Sequence, residues 1–252
     1  MLAIYHYFGY DLPLRERFEM IKAAGFDAVG LFRDEWFGWT AHRTYADLAR
    51  AVGLQVTDGH APFDRDYDFV NALWLDNLDG ETTFEVYARA IAECGEDGVE
   101  NLIVHPCEDE DTEPPPPCDL GIERIKRLIE MAERANVTLA FENLSRLDYL
   151  SYIFGRVSSP KLGFCYDAGH FNLRASEPKL DLLSLFGEKL TALHLHDNDG
   201  SDDQHKIPFE GAINWREQMT KIASTGFSGA TTLECTTGSP GSAGSNDSRS
   251  PE

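Results

Sequence analysis

Histidine and acidic residues recur directly after short apolar segments along this 252-residue chain. Six of the eight histidines belong to this set, so the clustering is more than a lone histidine on an apolar face. Neutral imidazoles and carboxylates are the ligands that suit divalent zinc, manganese, cobalt and iron. Many carboxylates in one cleft would repel one another and become protonated unless a cation lay between them. The residues concerned are Asp58, His60, His105, Glu142, Asp167, His170, His194, His196, Asp197, Asp203, His205 and Glu234.

The elements that would position these residues follow a repeated pattern of a helix, a glycine and a short apolar strand. Near the start, Leu14, Phe18 and Ile21 form a helical stripe, Gly25 follows, and residues 26–32 read as a strand. A glycine after a helix accepts the left-handed backbone that ends it. The same order recurs near the other end of the chain.

Eight strand candidates alternate with seven helix candidates, which predicts a parallel sheet, and eight such units predict a closed barrel. We therefore expect an α/β fold, a single (β/α)8 TIM barrel over residues 1–236, with a doubly wound open sheet as the alternative. In a barrel, the carboxyl ends of the strands converge on the face that carries active sites. The predicted strands are residues 2–5, 26–32, 54–57, 101–104, 137–141, 162–166, 190–195 and 230–233.

The end of the chain departs from this pattern. Residues 237–252 are rich in glycine, serine and proline and lack an apolar stripe, so we expect a disordered tail with the eighth helix missing. Without that helix, the barrel would be open where strand eight meets strand one. The proline run within residues 108–118 predicts a loop after the fourth strand, because proline fits neither a helix interior nor a central strand.

The net charge and the cysteines indicate which partners and which cellular compartment to expect. The formal net charge of −21, from 22 basic and 43 acidic residues, argues against nucleic acid or an anionic membrane as the main partner. No segment has the pattern of a signal peptide or the length of a membrane span. Five scattered cysteines without CxxC spacing favour free thiols, so we expect a cytoplasmic protein. Whether the chain forms a homo-oligomer is left open.

Several segments resemble the signature segments of the xylose-isomerase-like barrel superfamily, which includes sugar phosphate isomerases and epimerases and endonuclease IV. The resemblance runs in order from about residue 1 to residue 235. Its motifs are specific for the fold and the metal, and less so for the substrate. The segments are DGHAPFD, NLIVHP, LAFENL, GFCYDAGHFN, LHLHDNDGSDDQHKIPFEGAINW and TTLEC.

The resemblance implies a divalent metal cofactor, zinc or manganese, with one to three ions per chain. In family epimerases four residues hold one metal, and their counterparts here are Glu142, Asp167, His194 and Glu234. In the endonuclease-like pattern, further ligands hold additional zinc ions. Their counterparts here are His60, His105, His170, Asp203 and His205.

The reaction that the resemblance implies is isomerisation or epimerisation of a keto sugar or sugar phosphate, with proton transfer through an enediolate. Glu142 and Glu234 are then the candidate proton-transfer groups, on opposite sides of the substrate carbon, and metal ligands as well. The candidate substrate-binding residues are His170, His196 and Trp36. An aromatic ring such as that of Trp36 either stacks on a sugar or caps the barrel.

Three other functions remain open. The full set of nine ligands would also suit an endonuclease IV-like multi-zinc phosphodiesterase, although the acidic charge and the lack of basic loops argue against it. A keto-sugar lyase or dehydratase would use the same enolate chemistry. A non-catalytic sugar-sensing barrel would have no need of so many acids and bases.

Overall fold

A computed structural model describes residues 1–10, 12–33, 42–63, 68–108, 113–173 and 180–236. Short apolar runs form parallel strands, and the helices between them cover the outer face of the sheet. The strands are β1 (Leu2–Tyr5), β2 (Ala28–Phe32), β3 (Gln55–His60), β4 (Asn101–Val104), β5 (Thr138–Glu142), β6 (Leu162–Asp167), β7 (Leu190–His194) and β8 (Thr231–Leu233). The helices are α1 (Leu14–Ala23), α2 (His42–Ala51), α3 (Asp68–Asn71), α4 (Leu78–Asp97), α5 (Asp119–Ala135), α6 (Leu147–Phe154), α7 (Ala168–Leu173), α8 (Leu182–Phe186) and α9 (Trp215–Ser224).

The eight strands form one sheet in the order β7-β6-β5-β4-β3-β2-β1-β8, which confirms the predicted (β/α)8 barrel. The sheet is nearly closed, because β7 and β8 are joined by a single bridge between Leu195 and Leu233. The expectation that the barrel is open between strands eight and one is wrong. There β8 pairs with β1 over three residue pairs, since strand pairing depends on backbone hydrogen bonds and needs no covering helix. The predicted tail, residues 237–252, lies outside the described residues.

The longest described helices have ends that their sequence explains. Helix α4 begins after Asn77, whose side chain accepts a hydrogen bond from the Gly80 amide at 2.9 Å. It ends at Gly98, which takes a left-handed conformation with φ of 66°. Helices α4 and α5 bury their apolar faces against the sheet, where Ile125 and Ile129 belong to the main core. Within the described ranges, no helix combines the length and apolar character needed to cross a membrane.

Candidate functional site

The alternation of side chains along the strands brings the site together. A small apolar cluster inside the barrel is formed by Ile103, Ala140, Cys165 and Ala192. Two residues further along the chain from these four are His105, Glu142, Asp167 and His194. These side chains therefore belong to the same inner face, at the carboxyl end of the barrel.

The strands β5 to β8 supply four residues that we call the strand group: Glu142, Asp167, His194 and Glu234. One ligand atom from each lies within 4.8 Å of those of the others. Nδ1 of His194 is 3.0 Å from an oxygen of Glu142 and 2.9 Å from an oxygen of Glu234. All four residues are buried, so this geometry is fixed within the protein interior.

Four more residues form what we call the loop group: His170 on α7, His196 after β7, and Asp203 and His205 in the following loop. One ligand atom of each again lies within 4.8 Å of the others. The carboxylate of Asp203 lies 2.9 Å from Nε2 of His205 and 3.3 Å from Nε2 of His170. Of the nine ligands expected from the sequence, seven therefore lie in these two groups.

The remaining two expected ligands approach the strand group from β3 and β4. The Nε2 atoms of His60 and His105 each lie 3.5 Å from the same oxygen of Glu142. His60 also forms a three-residue cluster with Glu142 and His194. The structure thus brings all nine residues to one end of the barrel, with Glu142 in contact with several of them.

Four of these histidines use one ring nitrogen on a partner at the edge of the site and turn the other toward carboxylates. This is the usual arrangement of a metal-ligating histidine, because the outer partner fixes the tautomer and the ring orientation. The outer partners are the Tyr5 hydroxyl for His194, the Ala61 carbonyl for His60, the Glu234 carbonyl for His205 and the Glu108 carboxylate for His105.

Polar atoms that face the strand group lack hydrogen bonds within the described part of the chain. They include both carboxylate oxygens of Glu142, Oδ2 of Asp167 and Nδ1 of His194. Buried polar atoms are costly without a partner. A divalent ion would satisfy these carboxylate oxygens and this imidazole nitrogen together, so the residues present fit such an ion.

Carboxylates and imidazoles lie in close pairs in this site, and each shifts the pKa of the other. Burial alone would raise the pKa of the Glu142 and Glu234 carboxyls, but His194 lowers it well below the usual range for Glu142 and to about 2 for Glu234. Burial alone would lower the pKa of His205, yet Asp203 raises it to about 9. The carboxylates of Glu142, Glu234 and Asp203 are therefore ionised at neutral pH, and they stabilise protons on neighbouring imidazoles.

The expected substrate-binding residues differ in where they lie. Trp36 lies outside the described residues. His170 is in the loop group and also approaches the strand group, with Nδ1 3.0 Å from Glu142. His196 is fully buried within the loop group, against Asp167 and Asp203.

Sequence reasoning missed two supporting residues and gave a third the wrong role. Tyr5 forms the hydrogen bond with His194 described above. Asn143 exchanges two hydrogen bonds of 2.9 Å with the backbone of Asp167 and so holds the end of β6. Asp197 was expected in the set of candidate metal ligands, but its carboxylate instead accepts hydrogen bonds from the Trp215 indole and three backbone amides. A polar residue next to an expected ligand was the available signal for Asn143.

Part of the chain is similar in sequence to known proteins. An uncharacterized protein, y4fM, of Sinorhizobium fredii is 37% identical over 110 residues, 43% of this chain and 34% of that protein. A fructoselysine 3-epimerase of Shigella flexneri is 32% identical over 123 residues, 46% of this chain and 44% of that protein. The matched segment thus spans less than half the length of these curated relatives.

Several solved structures share the fold of nearly the whole chain. A D-tagatose 3-epimerase-like protein aligns with a TM-score of 0.73 at 21% identity, covering 93% of this chain and 90% of that one. An AP endonuclease, family 2, of Brucella melitensis aligns with a TM-score of 0.70 at 16% identity, covering 93% and 91%. At these identities the likeness concerns the fold alone. Residues 18–250 match a family of known architecture, and the chain belongs to the xylose isomerase-like TIM barrel family.

Proposed function

We propose that this protein is a divalent-metal-dependent epimerase or isomerase that acts on a keto sugar or a keto sugar phosphate. The observation that carries this proposal is the buried strand group, whose three carboxylates and one imidazole lie within 4.8 Å of one another. The partial relative that is a fructoselysine 3-epimerase and the fold neighbour that is D-tagatose 3-epimerase-like support the same class of reaction.

Glu142, Asp167, His194 and Glu234 would hold the ion, and their oxygen and nitrogen donors suit zinc or manganese. A bound divalent ion would supply positive charge next to two adjacent substrate oxygens and so stabilise an enediolate. The site is buried, and exclusion of water strengthens every electrostatic interaction within it.

Glu142 and Glu234 are the proton-transfer groups in this proposal. They come from β5 and from the end of β8, and both contact Nδ1 of His194. Both carboxyls are ionised at neutral pH, so either one can accept the proton alpha to the substrate carbonyl. The first carboxyl would release this proton to solvent. The other, after taking up a proton from solvent, would deliver it to the opposite face of the same carbon, which inverts the configuration and gives an epimer.

Exchange with solvent deuterium tests this proposal directly. The protein, reconstituted with Zn²⁺ or Mn²⁺, is incubated in D₂O with free ketohexoses, ketose phosphates and fructoselysine. We expect deuterium to enter a carbon next to the carbonyl of at least one of these compounds, detected by NMR and mass spectrometry. Absence of exchange across the panel at saturating metal would contradict the proposal.

A second candidate function is hydrolysis of a phosphodiester by several metal ions. The loop group favours it, because it provides further imidazole and carboxylate ligands beside the strand group. Two or more adjacent ions can stabilise both the attacking and the leaving oxygen of a phosphodiester. The net charge of −21 opposes binding of a nucleic acid. Metal-dependent cleavage of DNA containing an abasic site, without exchange into any ketose, would favour this second function.

A further inference from the structure

Two imidazoles of the loop group also contact the strand group: His170 through Nδ1, and His196 through Nε2. Nε2 of His196 lies 3.2 Å from Oδ1 of Asp167 and 3.6 Å from Oδ1 of Asp203. The side chain is fully buried, and neither ring nitrogen makes a hydrogen bond within the described part of the chain. One nitrogen of the His196 ring therefore lies near a carboxylate oxygen of each group.

In each of the two carboxylates, the oxygen near His196 is Oδ1 and the other oxygen, Oδ2, is directed elsewhere. Oδ2 of Asp167 is buried and has no hydrogen bond within the described part of the chain, whereas Oδ1 accepts a hydrogen bond from the His170 amide at 2.6 Å. Oδ2 of Asp203 faces His170 and His205. An N–H at Nε2 of His196 would thus lie beside the Oδ1 atoms of both carboxylates and leave their Oδ2 atoms for ions.

The ring of His196 is held in place by its neighbours. It stacks on the ring of His205 with centroids 4.0 Å apart and planes at 12°. On its other side lies Gly169, where an added Cβ would overlap the His196 ring. The lone pair of an imidazole nitrogen lies in the plane of its ring. Two nearly parallel stacked rings therefore cannot both direct such a lone pair at one shared ion. This packing favours a role for His196 in orienting other ligands.

We infer that His196 is a positioning residue that links Asp167 to Asp203 and so joins the strand group and the loop group into one assembly. This inference rests on the metal binding of the proposed function. Carboxylates and histidines that ligate metals depend on such supporting contacts, whose removal typically lowers metal affinity by about 10–100-fold. Loss of His196 should therefore weaken metal binding at both groups, although the His196 side chain is not itself a metal ligand of the strand group in this inference.

Metal binding by three variants tests the inference. His196→Gln can place an amide N–H near the position of Nε2, His196→Asn has an amide too short to do so, and His196→Leu fills similar space without a donor. Each protein is titrated with Co²⁺, whose visible absorption reports ligand geometry, and its zinc content is measured after dialysis. We expect the Leu and Asn variants to bind about 10–100-fold more weakly at both groups, and the Gln variant to bind within about threefold of the unaltered protein.

A fourth variant, Gly169→Ala, displaces the His196 ring without changing any charged side chain. We expect it to reproduce the effect of His196→Leu. If His196→Leu does not fold, comparison of the Asn and Gln variants still decides the question. Equal metal affinity in all variants would overturn the inference. If His196 only filled space, the Leu variant would keep the metal affinity of the unaltered protein. If the unaltered protein bound no divalent ion, the proposed function itself would fail.

Discussion

The hydroxyl oxygen of Tyr5 lies 2.9 Å from Nε2 of His194, and both side chains are completely buried inside the barrel. The Tyr5 ring stacks on Phe32 with centroids 4.3 Å apart, and the absence of a side chain at Gly30 leaves room for it. Because Tyr5 occupies Nε2, the other ring nitrogen of His194 is directed at Glu142. A residue of the first strand thus sets the orientation of a candidate ligand on the seventh.

Tyr5→Phe should weaken metal binding without unfolding the barrel. The substitution removes the partner that fixes the tautomer of His194, so we expect about 10–100-fold lower affinity for zinc at the strand group, measured by competition titration. The matched control is Tyr87→Phe, because the Tyr87 hydroxyl is also buried and has no hydrogen-bond partner among the described residues. Equal affinities of the two variants would show that Tyr5 has no such role.

The strands could be predicted because each is a short apolar run between polar or glycine-containing segments. The predicted bounds of β1 and β4 agree with the structure to the residue. Strand β3 continues to His60, three residues beyond its predicted end, because Asp58, Gly59 and His60 read as a loop. Polar residues are tolerated at that end of a barrel strand, where they line the site instead of the core.

Contacts between residues far apart in sequence could not be predicted. Tyr5 and His194 are 189 positions apart, and nothing local to either residue indicates the other. Helix α7 was not expected, because its six residues are too few to show an apolar stripe. It begins directly after Asp167, whose side chain accepts a hydrogen bond from the His170 amide in the first turn. A candidate ligand of the metal thus also acts as a helix cap.

Glu142→Gln and Glu234→Gln should each reduce turnover by about 10²–10⁴-fold at saturating metal, because each removes a proton-transfer group. Metal affinity should fall as well, since a neutral amide replaces an anionic ligand. Excess metal will restore occupancy but not turnover. The control is Glu130→Gln, an exposed residue of α5, which should change neither. Near-normal deuterium exchange by either site variant would exclude that residue as a required base.

Metal affinity should fall as the pH falls. Although burial opposes protonation, Glu108 raises the pKa of His105 to about 10 and Asp203 raises that of His205 to about 9. Below those values both imidazoles hold protons in the metal-free protein, and an ion must displace them because only neutral imidazole binds metal. Each displaced proton lowers the apparent affinity about tenfold per pH unit. Zinc titrations between pH 6 and 8 check this pH dependence, with proton release measured by calorimetry in two buffers. A zinc affinity that stays constant over this range would refute the prediction.

Asp197 holds the loop that carries Asp203 and His205. Its buried carboxylate accepts four hydrogen bonds, 2.7–3.2 Å long, from the Trp215 indole and the amides of Asn198, Phe209 and Ile213. The amide at Phe209 is held although this residue has φ of 80°, a strained value for a bulky side chain. The carboxylate therefore stabilises a loop conformation that the sequence alone would not favour.

Asp197→Asn should destabilise this loop, because the new amide group faces N–H donors and leaves some of them without an acceptor. We expect a loss of roughly 2–4 kcal/mol in the free energy of unfolding, measured with urea. We also expect loss of metal from the loop group, while the strand group retains its ion. The control is Glu210→Gln in the same loop, where the side chain is exposed and the change should stay within about 0.5 kcal/mol. If Asp197→Asn matched this control in both stability and metal content, the four hydrogen bonds would have no role in forming the site.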